Sequence, residues 1–100
     1  MTAAPVLEEV LETLRARQDA VRQNKFRIVG VFGSVARGEA RPDSDVDIVI
    51  EALDPGASLF DMGGVWSELN EALGRVVSLV ELDPLPPRFR AAVERDLVRL

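Results

Sequence analysis

The sequence contains no cysteine and no histidine. Without cysteine, disulfide bonds, thiolate zinc sites and cysteine nucleophiles are excluded. Without histidine, the chain lacks the usual general base at neutral pH and the usual zinc ligand. Any catalysis must therefore use carboxylates, hydroxyls, arginine, the single lysine, backbone N–H groups or a bound metal.

Long apolar runs are also absent. No segment approaches the roughly 20 apolar residues that span a bilayer. Met1 to Pro5 do not resemble a signal peptide, because they carry no basic flank followed by an apolar stretch. We therefore expect a cytoplasmic protein that does not contact membranes.

The charge balance is acidic, with 17 acidic and 12 basic residues and a net charge of −5. General nucleic-acid binding requires a basic face, so this balance argues against it. It does not exclude a small nucleotide held through a metal, because the metal supplies positive charge locally. A length of 100 residues predicts a single domain over 1–100.

Apolar spacing predicts three longer helices. The first covers residues 6–23. Ser58 is the expected N-cap of the second helix, with Asp61 completing a capping box. Gly74 is expected at its C′ position, just beyond the last helical turn. Trp66 is predicted to anchor this second helix in the core. The third helix, over residues 87–97, follows a cluster of prolines.

Three segments have the composition of strands, and they cover residues 26–32, 45–50 and 76–82. A short turn or helix over residues 34–37 follows the first strand. The element order is αβ(turn)βαβα. It predicts an α/β (α+β) fold with a small three-stranded mixed sheet flanked by helices.

The most informative stretch is Gly33-Ser34-Val35-Ala36-Arg37-Gly38, followed five residues later by Ser44-Asp45-Val46-Asp47. Alternate side chains of a strand share a face, so Asp45 and Asp47 would lie about 6.6 Å apart at their Cα atoms. Two carboxylates this close repel each other and favour a divalent cation. Mg²⁺ prefers one or two carboxylates with phosphate oxygens and water.

The Gly-Ser turn complements these carboxylates. Gly33 has no Cβ, so a phosphate could approach the backbone closely. A helix that begins near Ser34 would present free N–H groups to the same place. Arg37 and Arg41 could reach a polyphosphate, or both side chains could simply be solvated.

Together these residues resemble the signature of the minimal nucleotidyltransferases (MNT), within the DNA polymerase β-like superfamily. The resemblance covers nearly the whole chain. It implies that the Gly-Ser turn binds the triphosphate of ATP and that the two strand aspartates are catalytic and bind one or two Mg²⁺ ions. The residues assigned to nucleotide and phosphate binding are Gly33, Ser34, Arg37 and Ser44, and those assigned to metal binding and catalysis are Asp45 and Asp47.

The chain departs from the family at one position. The resemblance implies a third carboxylate on the next strand, which helps to hold the metal and accepts the proton of the attacking hydroxyl. Here that position is Ser78, whose hydroxyl stays protonated near neutral pH and binds Mg²⁺ poorly. Two other glutamates are candidates to replace it. Glu81 faces the other way on a regular strand, and Glu51 lies about 13 Å from Asp47, so neither is an obvious substitute for the third carboxylate.

Two functions follow from the resemblance. One is an enzyme that transfers AMP from ATP to a hydroxyl of a partner protein, as the antitoxin of a HEPN-type toxin. The alternative is a catalytically weak or inactive antitoxin that acts by binding its partner. A subunit completed by another chain and a nucleotide sensor without turnover also stay open. The sequence does not fix the oligomeric state, and a homo-oligomer is compatible with it.

Overall fold

Helices and strands alternate along most of the chain. The computed structural model describes residues 3–100, so Met1 and Thr2, the start of the predicted domain, lie outside the described residues. The predicted helices and strands are confirmed within one or two residues. The elements are α1 (Leu7–Gln23), β1 (Phe26–Phe32), α2 (Gly33–Arg37), β2 (Val46–Ala52), α3 (Leu59–Leu73), β3 (Val77–Glu81), α4 (Pro87–Asp96) and β4 (Val98–Arg99).

The sheet is mixed, as predicted, but it has four strands in the order β3-β2-β1-β4. β1 pairs antiparallel with both β2 and β4, and β2 pairs parallel with β3. The prediction of three strands was therefore wrong by one. β4 has only two residues, which is too short for a period-two pattern to reveal.

Gly30 explains why β4 can pair with β1. The two strands pair at Gly30 with Arg99 and at Val31 with Val98. A Cβ on Gly30 would overlap the carbonyl oxygen of Val98 and lie 2.9 Å from the Cα of Arg99. On the other side of β1, its register with β2 shifts between Ile28 and Gly30, as at a β-bulge. The missing side chain therefore allows the fourth strand to approach.

We expect Gly30→Ala to lower the free energy of unfolding by about 1–3 kcal/mol, the usual cost of overpacking a closed site. Gly63→Ala is the matched control, because a Cβ there meets open space and alanine favours the helix interior of α3. Urea unfolding of both variants measures the difference. Equal stability of Gly30→Ala and the native chain would contradict a close β1–β4 contact.

The helices cover the two faces of the sheet unequally. The larger apolar cluster lies between the sheet and the helices α1 and α3, and it includes Leu14, Ile48 and Leu69. On the opposite face, a smaller cluster joins Val29 and Val49 of the sheet to Val93 of α4. Part of this second face is consequently left for polar side chains.

The ends of α3 confirm two predictions. Ser58 and Asp61 form the capping box, and Gly74 ends the helix in the left-handed conformation. The prediction that Trp66 anchors the core was wrong: 47% of its surface is exposed, and its indole Nε1 donates a 2.9 Å hydrogen bond to the carbonyl oxygen of Val77. Trp66 thus joins the flank of α3 to the edge strand β3. Among residues 3–100, no helix has the length and apolar character needed to cross a membrane.

Candidate active site

The two predicted aspartates lie at the start of β2, on the sheet face that carries the smaller apolar cluster. Their neighbours Val46, Ile48 and Ile50 are completely buried on the opposite face, as the alternation predicts. Asp45 precedes the strand and is exposed, whereas Asp47 is half-buried inside it. Both carboxylates therefore remain accessible from one side of the sheet.

Asp47 occupies a central position between two strands. Its Cα pairs with Phe32 at the end of β1 and with Ser78 on β3. Residues paired across neighbouring strands project to the same face, so the Ser78 side chain shares the face of Asp47. The structure thus places Ser78 next to Asp47, one strand away on the same face of the sheet.

The environment of Asp47 disfavours its negative charge. Burial raises the pKa of Asp47 above its usual value, and repulsion from Asp45 raises it further, while the charge of Arg37 lowers it. Asp45, two residues earlier in the chain, is the second negative charge in this environment. A cation bound between the two carboxylates would offset both unfavourable effects.

Gly33 brings the Gly-Ser turn against Asp47. The residue has a φ of 72°, and a Cβ on it would overlap the Oδ2 atom of Asp47. It is the first residue of α2, and the half-buried Ser34 follows it in the first turn. The free N–H groups of this turn therefore begin next to the carboxylate.

We expect Gly33→Ala to lower nucleotidyl transfer by about 10²-fold, because displacing a catalytic group by about 1 Å has effects of this size. The matched control is Gly38→Ala. Gly38 has almost the same φ, 73°, but a Cβ added to it would meet nothing within 4 Å in the part of the chain from residue 3 onward. Both variants share the backbone strain, so a loss of rate confined to Gly33→Ala would identify the contact with Asp47 as its cause. Equal losses would contradict this reason.

Arg37, predicted to bind phosphate, is already engaged by two carboxylates. Its Nη1 lies 2.7 Å from Asp96 Oδ2, and its Nε lies 3.3 Å from Glu39 Oε2. These hydrogen bonds raise the pKa of the guanidinium, with Asp96 as the larger cause. Sequence reasoning missed Asp96, because a contact over 59 positions leaves no local signal. A polyphosphate would have to share Arg37 with these partners.

The loop before β2 is held by polar contacts. Ser44 Oγ accepts a hydrogen bond of 2.8 Å from the backbone N–H of Arg41, so its hydroxyl stabilises the turn that leads to Asp45. Arg75 Nη1 donates to the carbonyl oxygen of Pro42 at 3.2 Å. Ser44 thus has a structural role in this loop, and its role in nucleotide binding stays a prediction. Arg75 is a second residue that sequence reasoning missed.

A third acidic ligand is missing from the site. No group of three or more acidic side chains that could hold a metal occurs within residues 3–100. Glu51 is paired with Arg27 at 2.9 Å. Glu81 pairs in register with Ile50, a core residue, and so faces away from Asp47. Neither glutamate therefore joins Asp45 and Asp47 at the site.

The donor set of the site fits Mg²⁺. Asp45 and Asp47 supply the one or two carboxylates that Mg²⁺ uses when substrate phosphates and water complete its coordination. The mutual repulsion of these carboxylates favours a cation at this place. Gly33 and Ser34 lie where backbone N–H groups could contact the phosphates. The arrangement is suited to positioning a metal-bound nucleoside triphosphate.

Comparison with known proteins identifies a family for this chain. The sequence pattern of the family described as "Polymerase beta, Nucleotidyltransferase" matches residues 16–99. The chain is 37% identical over 93 residues to the protein adenylyltransferase MntA of Thermococcus cleftensis, covering 92% of this chain and 93% of MntA. It is 31% identical over 94 residues to a chain of Methanocaldococcus jannaschii assigned as a protein adenylyltransferase, covering 92% and 95%.

Two solved structures are also similar. A chain assigned as a minimal nucleotidyltransferase is 42% identical and superimposes with a TM-score of 0.72, covering 90% of this chain and 95% of its own length. A toxin–antitoxin crystal structure with AMP-PNP gives 28% identity and a TM-score of 0.52, covering 82% of this chain and 62% of that one. This chain therefore belongs to the polymerase beta nucleotidyltransferase family.

Proposed function

We propose that the chain transfers AMP from Mg²⁺-bound ATP to a hydroxyl group of a partner protein, and that this partner is a HEPN-type toxin. The observation that carries the proposal is the contact of Gly33 with Asp47, which joins the predicted phosphate turn to the predicted metal ligands. The similarity to MntA, a protein adenylyltransferase, supports the kind of reaction. The similar toxin–antitoxin structure with AMP-PNP supports both an ATP-like substrate and a toxin partner.

Each residue of the site has a role in this proposal. Backbone N–H groups at Gly33 and Ser34 bind the triphosphate, and Arg37 adds positive charge beside it. Asp45 and Asp47 hold Mg²⁺, which when bound neutralises phosphate charge and polarises the α-phosphate. Catalysis of this kind depends mainly on positioning and electrostatic stabilisation.

The transfer step forms one bond and breaks another. The acceptor oxygen bonds to the α-phosphorus, the bond from that phosphorus to the bridging oxygen breaks, and pyrophosphate leaves. The acceptor hydroxyl must also lose its proton. Within residues 3–100, no third carboxylate stands beside Asp47 to accept that proton, so it passes to solvent, and we expect a slow reaction.

The test uses ATP labelled at either the α- or the γ-phosphate. The purified chain is incubated with Mg²⁺ and a HEPN-type toxin, the proposed partner. Transfer of the α-label alone to the partner, with release of pyrophosphate, is the expected result. Transfer of the γ-label would identify phosphorylation, and transfer of neither label would contradict the enzymatic function.

The second candidate function is an antitoxin without catalysis, and Ser78 is the observation that favours it. A serine beside Asp47 removes the expected proton acceptor while leaving the apolar core and the nucleotide turn intact. Calorimetric titration of the partner, without ATP and Mg²⁺, measures this function separately. Tight binding that abolishes toxin activity, combined with no transfer of label, would establish it.

A further inference from the structure

The last helix and strand carry more positive than negative side chains, whereas the chain as a whole is acidic. The whole sequence has a net charge of −5, but residues 84–100 contain four arginines and only two carboxylates. All four arginines lie on α4, which packs on the active-site face of the sheet, or on β4, the edge strand beside β1. A basic region therefore borders the candidate active site of an otherwise acidic protein.

The arginines of this region differ in how they are engaged. Arg90 is paired, with its Nε 3.2 Å from Glu94 Oε1 and its Nη1 3.9 Å from Asp83 Oδ1. Arg88, Arg95 and Arg99 are exposed, and none of them forms an ion pair with any part of the chain from residue 3 to residue 100. Their charge is therefore available to an outside group.

Helical spacing places two of these arginines on one flank of α4. Arg88 and Arg95 are seven residues apart, so they project at nearly the same angle and about 10.5 Å apart along the axis. The exposed Ala92 lies between them. We call Arg88, Ala92 and Arg95 the arginine flank.

The arginine flank is continuous with the active site. Asp96 is the next residue around the helix from this flank, and its carboxylate lies 2.7 Å from Nη1 of Arg37. Arg37 belongs to α2, whose first residue, Gly33, lies against Asp47. A macromolecule bound along the flank would therefore reach the edge of the catalytic pair.

The chemistry of the flank favours a protein partner over a nucleic acid. Nucleic-acid faces can neutralise about 6–10 phosphates, which the two arginines of the flank cannot do. Carboxylates, by contrast, pair with individual arginines in a bidentate manner. Phe89 is 52% exposed beneath the guanidinium of Arg88, 5.1 Å from ring centroid to Cζ. Arginine next to an exposed aromatic ring is typical of protein interfaces.

We propose that the arginine flank binds an acidic segment of the acceptor protein and thereby brings its hydroxyl to the nucleotide held at Asp45 and Asp47. This inference rests on the proposed AMP transfer and adds a substrate class to it, a hydroxyl with acidic residues nearby. Its covalent step is the transfer already described, in which pyrophosphate leaves and the hydroxyl proton passes to solvent.

The test uses two synthetic peptides, each with one tyrosine, flanked by glutamates in one and by lysines in the other. Fluorescence anisotropy measures binding without ATP, and mass spectrometry measures AMP transfer with ATP and Mg²⁺. We expect the acidic peptide to have a kcat/KM at least about tenfold higher at low salt, through KM rather than kcat. The difference should shrink as the ionic strength rises.

Arg88→Glu/Arg95→Glu is expected to invert the preference toward the lysine peptide. The control is Arg15→Glu/Arg22→Glu on α1, which changes the net charge equally at the same seven-residue spacing on exposed positions of the other sheet face. Inversion confined to the α4 variant supports the proposal. Equal use of both peptides, or the same change of preference in both variants, overturns it.

Two further outcomes distinguish a failure of the proposed docking surface from a failure of the proposed AMP transfer. Arginine-dependent binding of the acidic peptide, without AMP transfer to any acceptor, contradicts the proposed reaction and supports the docking surface. A single-stranded RNA 20-mer that displaces the acidic peptide and loses its own binding in Arg88→Glu/Arg95→Glu would assign the flank to nucleic acid and overturn the inference.

Discussion

Replacing Ser78 with aspartate is expected to raise the rate of AMP transfer by about 10²-fold, the lower end of the usual effect of a general base. The Cα of Ser78 pairs with that of Asp47 across β2 and β3, so a carboxylate at this position would lie beside the two aspartates proposed to be catalytic. It would accept the proton of the acceptor hydroxyl and add a third ligand for Mg²⁺. The measurement is single-turnover transfer of label from α-labelled ATP to the partner.

The control for this substitution is Ser78→Asn, which has nearly the same shape as aspartate but cannot accept a proton as a base. A rate gain in both variants would show that size or hydrogen bonding, and not the carboxylate, is responsible. Ser78→Asp should also lower the stability of the metal-free protein, because a third negative charge joins two that already repel. Mg²⁺ should restore that stability by mass action.

Asp47→Asn is expected to have the opposite pair of effects, a loss of activity and a gain in metal-free stability. Activity should fall by at least about 10²-fold, as when one electrostatic stabiliser of a transition state is removed. Stability should rise because burial and Asp45 disfavour the charge of Asp47 in the folded state. Urea unfolding without metal and the labelled transfer assay measure the two effects on the same protein.

The pH dependence of this stability difference follows from the raised pKa of Asp47. A raised folded-state pKa means that the folded protein binds the proton more tightly than the unfolded chain does. The cost of the charge is therefore present at neutral pH, and it disappears as the pH falls through the raised pKa toward the ordinary value of 3.8. The gap between Asp47→Asn and the native chain should narrow over that window.

The control is Asp43→Asn, an exposed position in the preceding loop with the same change of charge. It should change neither the activity nor the metal-free stability appreciably. If Asp47→Asn proved less stable than the native chain without metal, the carboxylate would be contributing favourable contacts, and the electrostatic account of the site would be wrong. With saturating Mg²⁺ the order should reverse, because only the native pair binds the ion well.

Local chemistry explains why most of the fold could be predicted. The capping box at Ser58, the left-handed Gly74 and the buried alternation of β2 each depend on residues within a few positions. β4 could not be predicted, because its pairing depends on the missing side chain of Gly30, on a strand far away in sequence. The prediction that Trp66 anchors the core was wrong for a similar reason. Apolar character does not distinguish a core position from a helix flank that borders an edge strand.

The residues of the candidate site also differ in whether nearby sequence or distant packing determines them. Asp45, Asp47 and Gly33 could be selected because they belong to one short motif, and the structure brings Gly33 against Asp47. The significance of Ser78 came from the family resemblance, because strand order is not visible in the spacing of the residues. Asp96 could not be predicted as the partner of Arg37, because the contact depends on the packing of α4 against α2. Which residues bind the nucleotide stays a prediction until it is measured.

Trp66 gives the chain a built-in optical reporter. It is the single tryptophan, and the sequence has no tyrosine, so excitation of indole fluorescence selects one known place in the molecule. Its Nε1–H group donates to the carbonyl of Val77, the residue immediately before Ser78. A change in this hydrogen bond alters the polarity around a half-exposed ring. Emission from the unlabelled protein can therefore follow events at the active-site edge of β3 in real time.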